Sequence, residues 1–533
     1  MAKPRNVLFI VIDQLRADCL TGALATHVDL PNLRQFMSEA VTFTHNFSVT
    51  NPCGPSRASL LTGQYSMNHR SVRNGAPLRH DIPSLPGELR KSGYLPLLYG
   101  YTDTSLDPRV HAADDPALTT YEYVMPGFQE RLEMRSEQSI PWLSHLAAQG
   151  YIFKNHDDLY IPVAADGAHP EITDPALYAA KDSDTAFLTN AYLADRATRD
   201  TSNWFSHLTY LRPHPPLVAP APYNRLYDPQ KLPLPHRLNS QASEEAVHPF
   251  FAPMFDSATP AHFVSGIPDL KPDEDTVQAL RAVYLGLASE VDHHIGRVIT
   301  DLKQAGQYED TLVIITADHG EMLGDRHAWG KMSVYNAAYH TPLIIRAPQL
   351  QAQSGMQVQL QTESVDIAPT ILDWIGSDIP NSMDGQSLLP LIKGETPENW
   401  RKFTFSELNF GHPLFPTKWQ KQLGLSVDEC SLSILRDAQF TLVEFAGDLP
   451  PLLFDHAKKG ELENVAEQAN YAPNLARLTR QMLKFRMQNM DRSLALSALT
   501  VQGPQTAFRH NITKRAKDCS ADPFSTGYAI KQH

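Results

Sequence analysis

The chain has little cysteine and no long apolar run. Its four cysteines, Cys19, Cys53, Cys430 and Cys519, are too scattered over 533 residues to form a disulfide framework. No stretch approaches the roughly 20 apolar residues that a membrane-spanning helix needs. The first apolar run, residues 7–12, ends in Asp13 with no small-residue cleavage site after it. It reads as a buried strand and not as a secretory leader. The triplets Asn46-Phe47-Ser48 and Asn511-Ile512-Thr513 therefore carry no weight as glycosylation sites, and a cytoplasmic location is expected. Positive charge is in deficit: 46 Lys and Arg stand against 59 Asp and Glu, a formal charge of −13. That balance excludes a general affinity for nucleic acid or an acidic membrane. Repeats and low-complexity tracts are missing too. What is there is an ordinary globular composition, 42% hydrophobic and 20% charged, in a chain long enough for one large domain and a smaller one.

Short apolar runs alternate with helical patterns over the first two thirds. Residues 7–12, 41–44, 94–101, 204–211, 311–316 and 342–346 read as strands, and 33–40, 82–92 and 275–306 as helices. Residues 105–200 read as loops and insertions, and 215–270 as a proline-rich excursion. Beyond about residue 380 the pattern becomes antiparallel, with strands at 402–406, 431–436 and 440–445 and a helix from Ala472 to about Met490. The expected fold is α/β: a large, mainly parallel sheet flanked by helices (1–380) and a smaller C-terminal α+β subdomain (381–495). The last stretch, 496–533, reads as a tail or an oligomerisation arm.

Two strand ends carry chemistry. Asp13 closes one apolar run, and Asp318-His319-Gly320-Glu321 closes another. In a parallel sheet such ends share an edge, so two carboxylates and an imidazole converge where one divalent cation can bind. Between them lies Asn51-Pro52-Cys53-Gly54-Pro55-Ser56-Arg57-Ala58-Ser59-Leu60-Leu61-Thr62-Gly63. Ser59 to Thr62 reads as helix, with Pro55 near its start, where a missing N–H costs nothing. Cys53 then sits just ahead of a helix N-terminus, whose free N–H groups favour negative charge, with the Arg57 cation one turn on. A nucleophile and an anionic substrate are both stabilised in such a place.

This string resembles the sulfatase signature, C-x-P-x-R followed by x-x-L-L-T-G. The resemblance implies that Cys53 is converted after translation to formylglycine, whose hydrate is the nucleophile and which joins Asp13, Asp318 and His319 around one metal ion. Many sulfatases carry Asp-Asp where this chain has Asp13-Gln14, and Asn where it has His319. That exchange softens the site, so manganese is expected first, with calcium or another divalent ion as alternatives. By the same resemblance Arg57 holds the nucleophile's oxygen, Lys331 binds the anionic oxygens of the substrate, and His214 is the general acid on the leaving group.

The loop Gly100-Tyr101-Thr102-Asp103-Thr104 departs from the arylsulfatases, which usually carry Gly-Lys-x-His there. It resembles instead the phosphonate monoester hydrolase/phosphodiesterase branch of the same superfamily. Asn74, Arg212-Pro213-His214-Pro215-Pro216, Glu429-Cys430-Ser431-Leu432 and Leu449-Pro450-Pro451-Leu452 do so too, and the resemblance runs from about Asn6 to about Arg492. It assigns substrate contact to Asn74, Tyr101, Thr102, Asp103 and Thr104. Asp103 stands where the branch has Thr, and its carboxylate would oppose an anion unless it pairs with a cation. The implied enzyme is a metal-dependent formylglycine hydrolase of phosphonate monoesters and phosphodiesters, promiscuous toward sulfate monoesters. The alternatives are an arylsulfatase or other sulfate-ester hydrolase, and, more remotely, a non-catalytic binding protein on the same fold. Implied partners are a small anionic ester, the formylglycine-generating machinery and further copies of the chain in a dimer or tetramer.

Overall fold

All seven residues of β1 (Asn6–Ile12) are buried, and they form the middle of an eight-stranded sheet. A computed structural model describes residues 5–165, 168–199, 203–348, 354–491, 494–500 and 503–506. The other strands of this sheet are β2 (Val41–Phe43), β3 (Pro96–Gly100), β4 (Gln129–Glu133), β5 (Phe205–Tyr210), β6 (Thr311–Thr316), β7 (Leu343–Arg346) and β8 (Gln357–Val358), in the order β8-β2-β7-β6-β1-β5-β3-β4. β1 pairs in parallel with β5 and β6, and only β7 runs against its two neighbours. The sheet is mainly parallel, as the sequence implies, although residues 343–346 enter it in reverse.

Side chains alternate across the pleat, so β1 feeds two cores. Leu8, Ile10 and Ile12 belong to one cluster, while Val7, Phe9 and Val11 belong to the other. The first is covered by α1 (Pro31–Glu39) and by the 31-residue α4 (Glu274–Gln304), whose Val277, Leu280, Val283, Leu287, Val291, Ile295 and Val298 recur at helical spacing. Asp273 caps α4 by accepting a hydrogen bond from the Thr276 N–H at 2.9 Å. The second cluster is covered by α2 (Cys53–Thr62) and α5 (Ile367–Ile375).

Residues 105–200 hold more structure than their composition implies. They contain the edge strand β4, the helix Ile140–Ala148 and α3 (Asp184–Arg196). The sequence of β4, Gln-Glu-Arg-Leu-Glu, buries only Leu132, and a charged edge strand of this kind has no apolar run to reveal it.

A second sheet takes β9 (Phe403–Asn409), β10 (Ser431–Asp437), β11 (Phe440–Phe445) and β12 (Leu452–Asp455), all antiparallel. Its fifth strand is the dipeptide Thr50–Asn51, which pairs in parallel with β9 directly ahead of Cys53. The C-terminal sheet is therefore hydrogen-bonded to the segment that delivers the cysteine. α6 (Ala472–Asn489) packs Leu478 and Met482 against this sheet, and Ser497–Thr500 pairs with Gly503–Thr506 in a hairpin. Residues 507–533, with Cys519 and Asn511, lie outside the described residues. No described helix is long and apolar enough to cross a membrane.

Candidate active site

The site is assembled from strand ends and one helix N-terminus. Asp13 follows β1 and donates its N–H to the Tyr210 carbonyl of β5 at 2.9 Å. Gln14 then takes a left-handed conformation (φ 67°), which aims its N–H at Asp318 Oδ1, 3.1 Å away. Tyr284, from α4, fixes this turn by donating its hydroxyl to the Gln14 carbonyl at 2.7 Å. Asp318 and His319 follow β6 on the same edge, as expected. Cys53 is the first residue of α2 and not the residue before it, and all ten residues of α2 are buried. The Ser56 hydroxyl donates to the Asp318 carbonyl at 2.5 Å and ties the helix to the second strand end. A Cβ at Gly54 would come within 3.0 Å of Asn74 Oδ1 and 3.2 Å of the Asp103 carbonyl, so glycine is what lets this loop close on the helix.

Asp13, Cys53, Asp318 and His319 bring one ligand atom each to within 4.8 Å of one another, and all four are buried. Cys53 Sγ lies 3.1 Å from His319 Nε2. The other ring nitrogen, Nδ1, donates to the Gly320 carbonyl at 3.0 Å, which leaves the Nε2 lone pair facing the cluster. Asp13 Oδ1 has no hydrogen-bond donor, and Asp318 Oδ2 has no partner beyond its ion pair with Arg57. A buried carboxylate oxygen left in this way calls for a cation, and the donor set of two carboxylates, one imidazole and one cysteine suits a divalent transition metal.

Arg57 supplies the fixed positive charge. Its Nη2 lies 2.9 Å from both Asp13 Oδ2 and Asp318 Oδ2, and its Nε lies 3.3 Å from Asp103 Oδ2. Burial works against charge on Asp13, but His214 and Arg57 outweigh it and hold the carboxyl below its usual range. Burial and the neighbouring Asp13 push Asp318 up to about 6. Burial, with Asp13 behind it, pushes the Cys53 thiol well up, so the unconverted side chain stays a neutral S–H. Arg57 Nη1 is buried with no hydrogen-bond acceptor and remains available.

Lys331 and His214 form the opposite wall. Lys331 Nζ donates to Gln14 Oε1 at 2.7 Å and lies 3.1 Å from His214 Nε2. Burial works against charge on Lys331, but the carboxylates of Asp13 and Asp318 outweigh it and keep the ammonium protonated. His214 Nδ1 donates to the Pro215 carbonyl at 2.6 Å. Burial, and then Lys331, lower the imidazole to about 3, so the ring is neutral with its lone pair at Nε2.

The side chains of the Tyr101–Thr104 loop, the expected substrate contacts, are bonded to the protein around them. The Tyr101 hydroxyl donates to Asp13 Oδ2 at 2.5 Å, and the Arg57 guanidinium stacks 4.3 Å from its ring centroid. Thr102 accepts the Met125 N–H at 2.8 Å, and its hydroxyl bonds to Thr104 and to the Tyr123 carbonyl. Asp103 does pair with a cation, Arg57, yet burial pushes its carboxyl well above the usual range. Of Arg57's three carboxyl partners it stands at the longest distance. Thr104 lines a different cavity, beside Leu106 and Asp107. The hydroxyls of Tyr101, Thr102 and Thr104 are thus bonded to protein, while Asp103 Oδ1 is buried with no hydrogen-bond partner. Asn74 is half-buried and accepts the Gly54 N–H at 3.0 Å, next to Cys53.

Two further residues join the site. Gln14 links Lys331 to the Asp318 turn. Glu321 accepts the Leu323 N–H at 2.9 Å and the Gly330 N–H at 2.7 Å through one carboxylate oxygen and a Gln14 amide hydrogen through the other. Glu321 was visible in the sequence as the last letter of Asp-His-Gly-Glu, but nothing in the spacing shows that it anchors the Lys331 segment.

Comparison with known proteins agrees with this geometry. The sulfatase family profile matches residues 5–377, and the profile described as "N-sulphoglucosamine sulphohydrolase, C-terminal" matches residues 324–488. The chain superposes on phosphonate monoester hydrolase SpPMH from Silicibacter pomeroyi with a TM-score of 0.93 and 61% identity, covering 95% of this chain and 99% of that one. The phosphonate monoester hydrolase of Agrobacterium radiobacter gives 0.90 and 38%, covering 95% of this chain and 100% of that one. The multifunctional alkaline phosphatase superfamily protein PehA of Trinickia caryophylli is 37% identical over 516 residues, 94% of this chain and 99% of that protein. With strand ends, signature cysteine and family profile in agreement, the chain belongs to the sulfatase family.

Proposed function

We propose that the protein hydrolyses phosphonate monoesters and phosphodiesters, with side activity toward sulfate monoesters. The observation that carries this reading is its likeness, over nearly the whole chain, to phosphonate monoester hydrolases. Charge supports it. The positive groups at the site are Arg57 and Lys331, and the loop behind Cys53 supplies Asp103 where arylsulfatases have further cations. Such a site suits a substrate with one negative charge better than a dianionic phosphate monoester.

Formylglycine made from Cys53 supplies a hydrated aldehyde as nucleophile, and a divalent ion, manganese first, supplies Lewis-acid activation of it. Asp13, Asp318, His319 and the converted Cys53 side chain hold that ion. Arg57, pinned by Asp13 and Asp318, offers its free Nη1 to the nucleophile's oxygen. Lys331 turns its ammonium from His214 and Gln14 to the anionic oxygens of the ester. The ester's charge makes His214 more basic, so Nε2 takes up a proton and delivers it to the leaving oxygen, while Nδ1 stays bonded to Pro215. Asn74 orients the ester beside Cys53. The neutral S–H of unconverted Cys53 favours this chemistry over a thiolate nucleophile. Conversion requires formylglycine-generating machinery in the host. Exposed Leu483 and Met487 on α6, with Met490 just after it, support assembly into a dimer or tetramer.

The test is kcat/KM on an aryl phosphonate monoester, an aryl phosphodiester and an aryl sulfate. The reading expects both phosphorus esters to exceed the sulfate. A preference for the sulfate would make the protein an arylsulfatase.

A further inference from the structure

A cavity of about 320 Å³ opens directly from the catalytic wall, with Gln14, His214 and Lys331 at its inner end. The rest of its lining comes from distant parts of the chain: Met254 and Phe263 from the proline-rich excursion, Trp329 and Met332 beside Lys331, and Trp419 from the C-terminal region. Phe263 and Trp329 pack with ring centroids 5.3 Å apart, and Trp419 spends its indole N–H on the Phe250 carbonyl at 2.9 Å. The surface left to a ligand by Trp419 is therefore its apolar rim. No carboxylate and no arginine lines this cavity, and its titratable groups are His214, His262 and Lys331.

The placement of His214 decides what the cavity is for. Nε2 faces Lys331 at the cavity's inner end, so the oxygen that takes a proton there belongs to the group that departs. Building on the proposed ester hydrolysis, we propose that this cavity is the leaving-group site and that it selects an uncharged aromatic alcohol. A ring fits against the packed Phe263–Trp329 pair and Met254 with offset or edge contacts. A sugar alcohol would bury hydroxyls against walls that offer no carboxylate or guanidinium to receive them. A cationic leaving group would meet desolvation without a carboxylate, and an anionic one would find only His262 besides the Lys331 that the ester's own oxygens occupy.

The wall is held by the site itself. Glu321 Oε1 takes the Gly330 N–H at 2.7 Å, so one carboxylate fixes both the segment carrying Lys331 and the Trp329 face. Selectivity and catalysis share that strut.

The experiment compares wild type with Met332→Ala and Phe263→Ala on phenyl methylphosphonate, trifluoroethyl methylphosphonate and trifluoroethyl phenylphosphonate. Taking the variant-to-wild-type ratio of kcat/KM on each ester cancels its intrinsic reactivity. The expected result is a loss of about 10-fold on the phenyl leaving group and less than about 2-fold on both trifluoroethyl esters. Met332 is half-buried, so that variant keeps the test readable if Phe263→Ala does not fold. Equal losses on all three esters would overturn the proposal. A loss confined to the phenylphosphonate would overturn it too, since the cavity would then hold the retained substituent. If wild type hydrolyses only sulfates, the phosphorus-ester reading fails by itself, and the same ratios on phenyl and trifluoroethyl sulfate still decide what the cavity holds.

Discussion

Lys331 Nζ stands 3.1 Å from His214 Nε2, and the other nitrogen of that ring is bonded to the Pro215 carbonyl. The cation and the imidazole are thus one unit, with the ammonium facing the lone pair that must later carry a proton. His214→Ala should therefore cost more as the leaving group becomes a stronger base. We expect about 10²- to 10⁴-fold loss in kcat on alkyl esters and a loss at the low end or below on nitrophenyl esters. A leaving-group dependence unchanged from wild type would remove His214 from that role.

The buried cluster predicts metal dependence with a readout apart from turnover. Wild type should hold about one divalent ion per chain and gain a few °C in melting temperature on adding manganese, as ligand linkage requires. His319→Ala should show neither. An unchanged shift in that variant would mean that the ion sits elsewhere.

Burial pushes the Asp103 carboxyl toward its neutral form, against its 3.3 Å pairing with Arg57. Asp103→Asn keeps shape and neutrality and should change kcat/KM by less than about 3-fold. A large gain toward dianionic phosphate monoesters would show instead that residue 103 is charged.

Glu290 lies fully buried in α4, and burial with Asp184 nearby raises its pKa from 4.5 to about 8. The native state therefore keeps a proton between pH 4.5 and 8 that the unfolded chain has released, and stability from this group falls as pH rises through that window. Glu290→Gln should gain stability relative to wild type by up to about 4 kcal/mol more at pH 8.5 than at pH 4.5. Melting temperatures of both proteins at the two pH values read this directly, and a difference independent of pH would contradict it.

Much of the site could be read from the sequence because its ligands sit at the ends of strands buried on both faces. Asp13 and Asp318 each close an unbroken apolar run, and parallel pairing of β1 with β6 brings those ends together. The C-terminal strands were legible for the same reason. Other parts left no local signal. Thr50–Asn51 is too short to show a period, yet it joins the second sheet to the cysteine segment. β4 is charged along its edge and buries one residue of five. Residues 101–104 differ again: their types were legible, but only the packing shows that their polar atoms point to Asp13, Arg57 and Tyr123. The cavity wall is non-local altogether, since Met254, Phe263, Trp329 and Trp419 meet only in three dimensions.

The central claim is that the chemistry resides in converted Cys53 and not in its thiol. The direct measurement prepares the protein with and without formylglycine-generating machinery, quantifies conversion by the mass of the Cys53 peptide, and measures phosphonate monoester turnover beside Cys53→Ala with metal content held equal. The account predicts activity in proportion to the aldehyde fraction, with the thiol form and the alanine variant both inactive. Equal activity in unconverted and converted protein would contradict it.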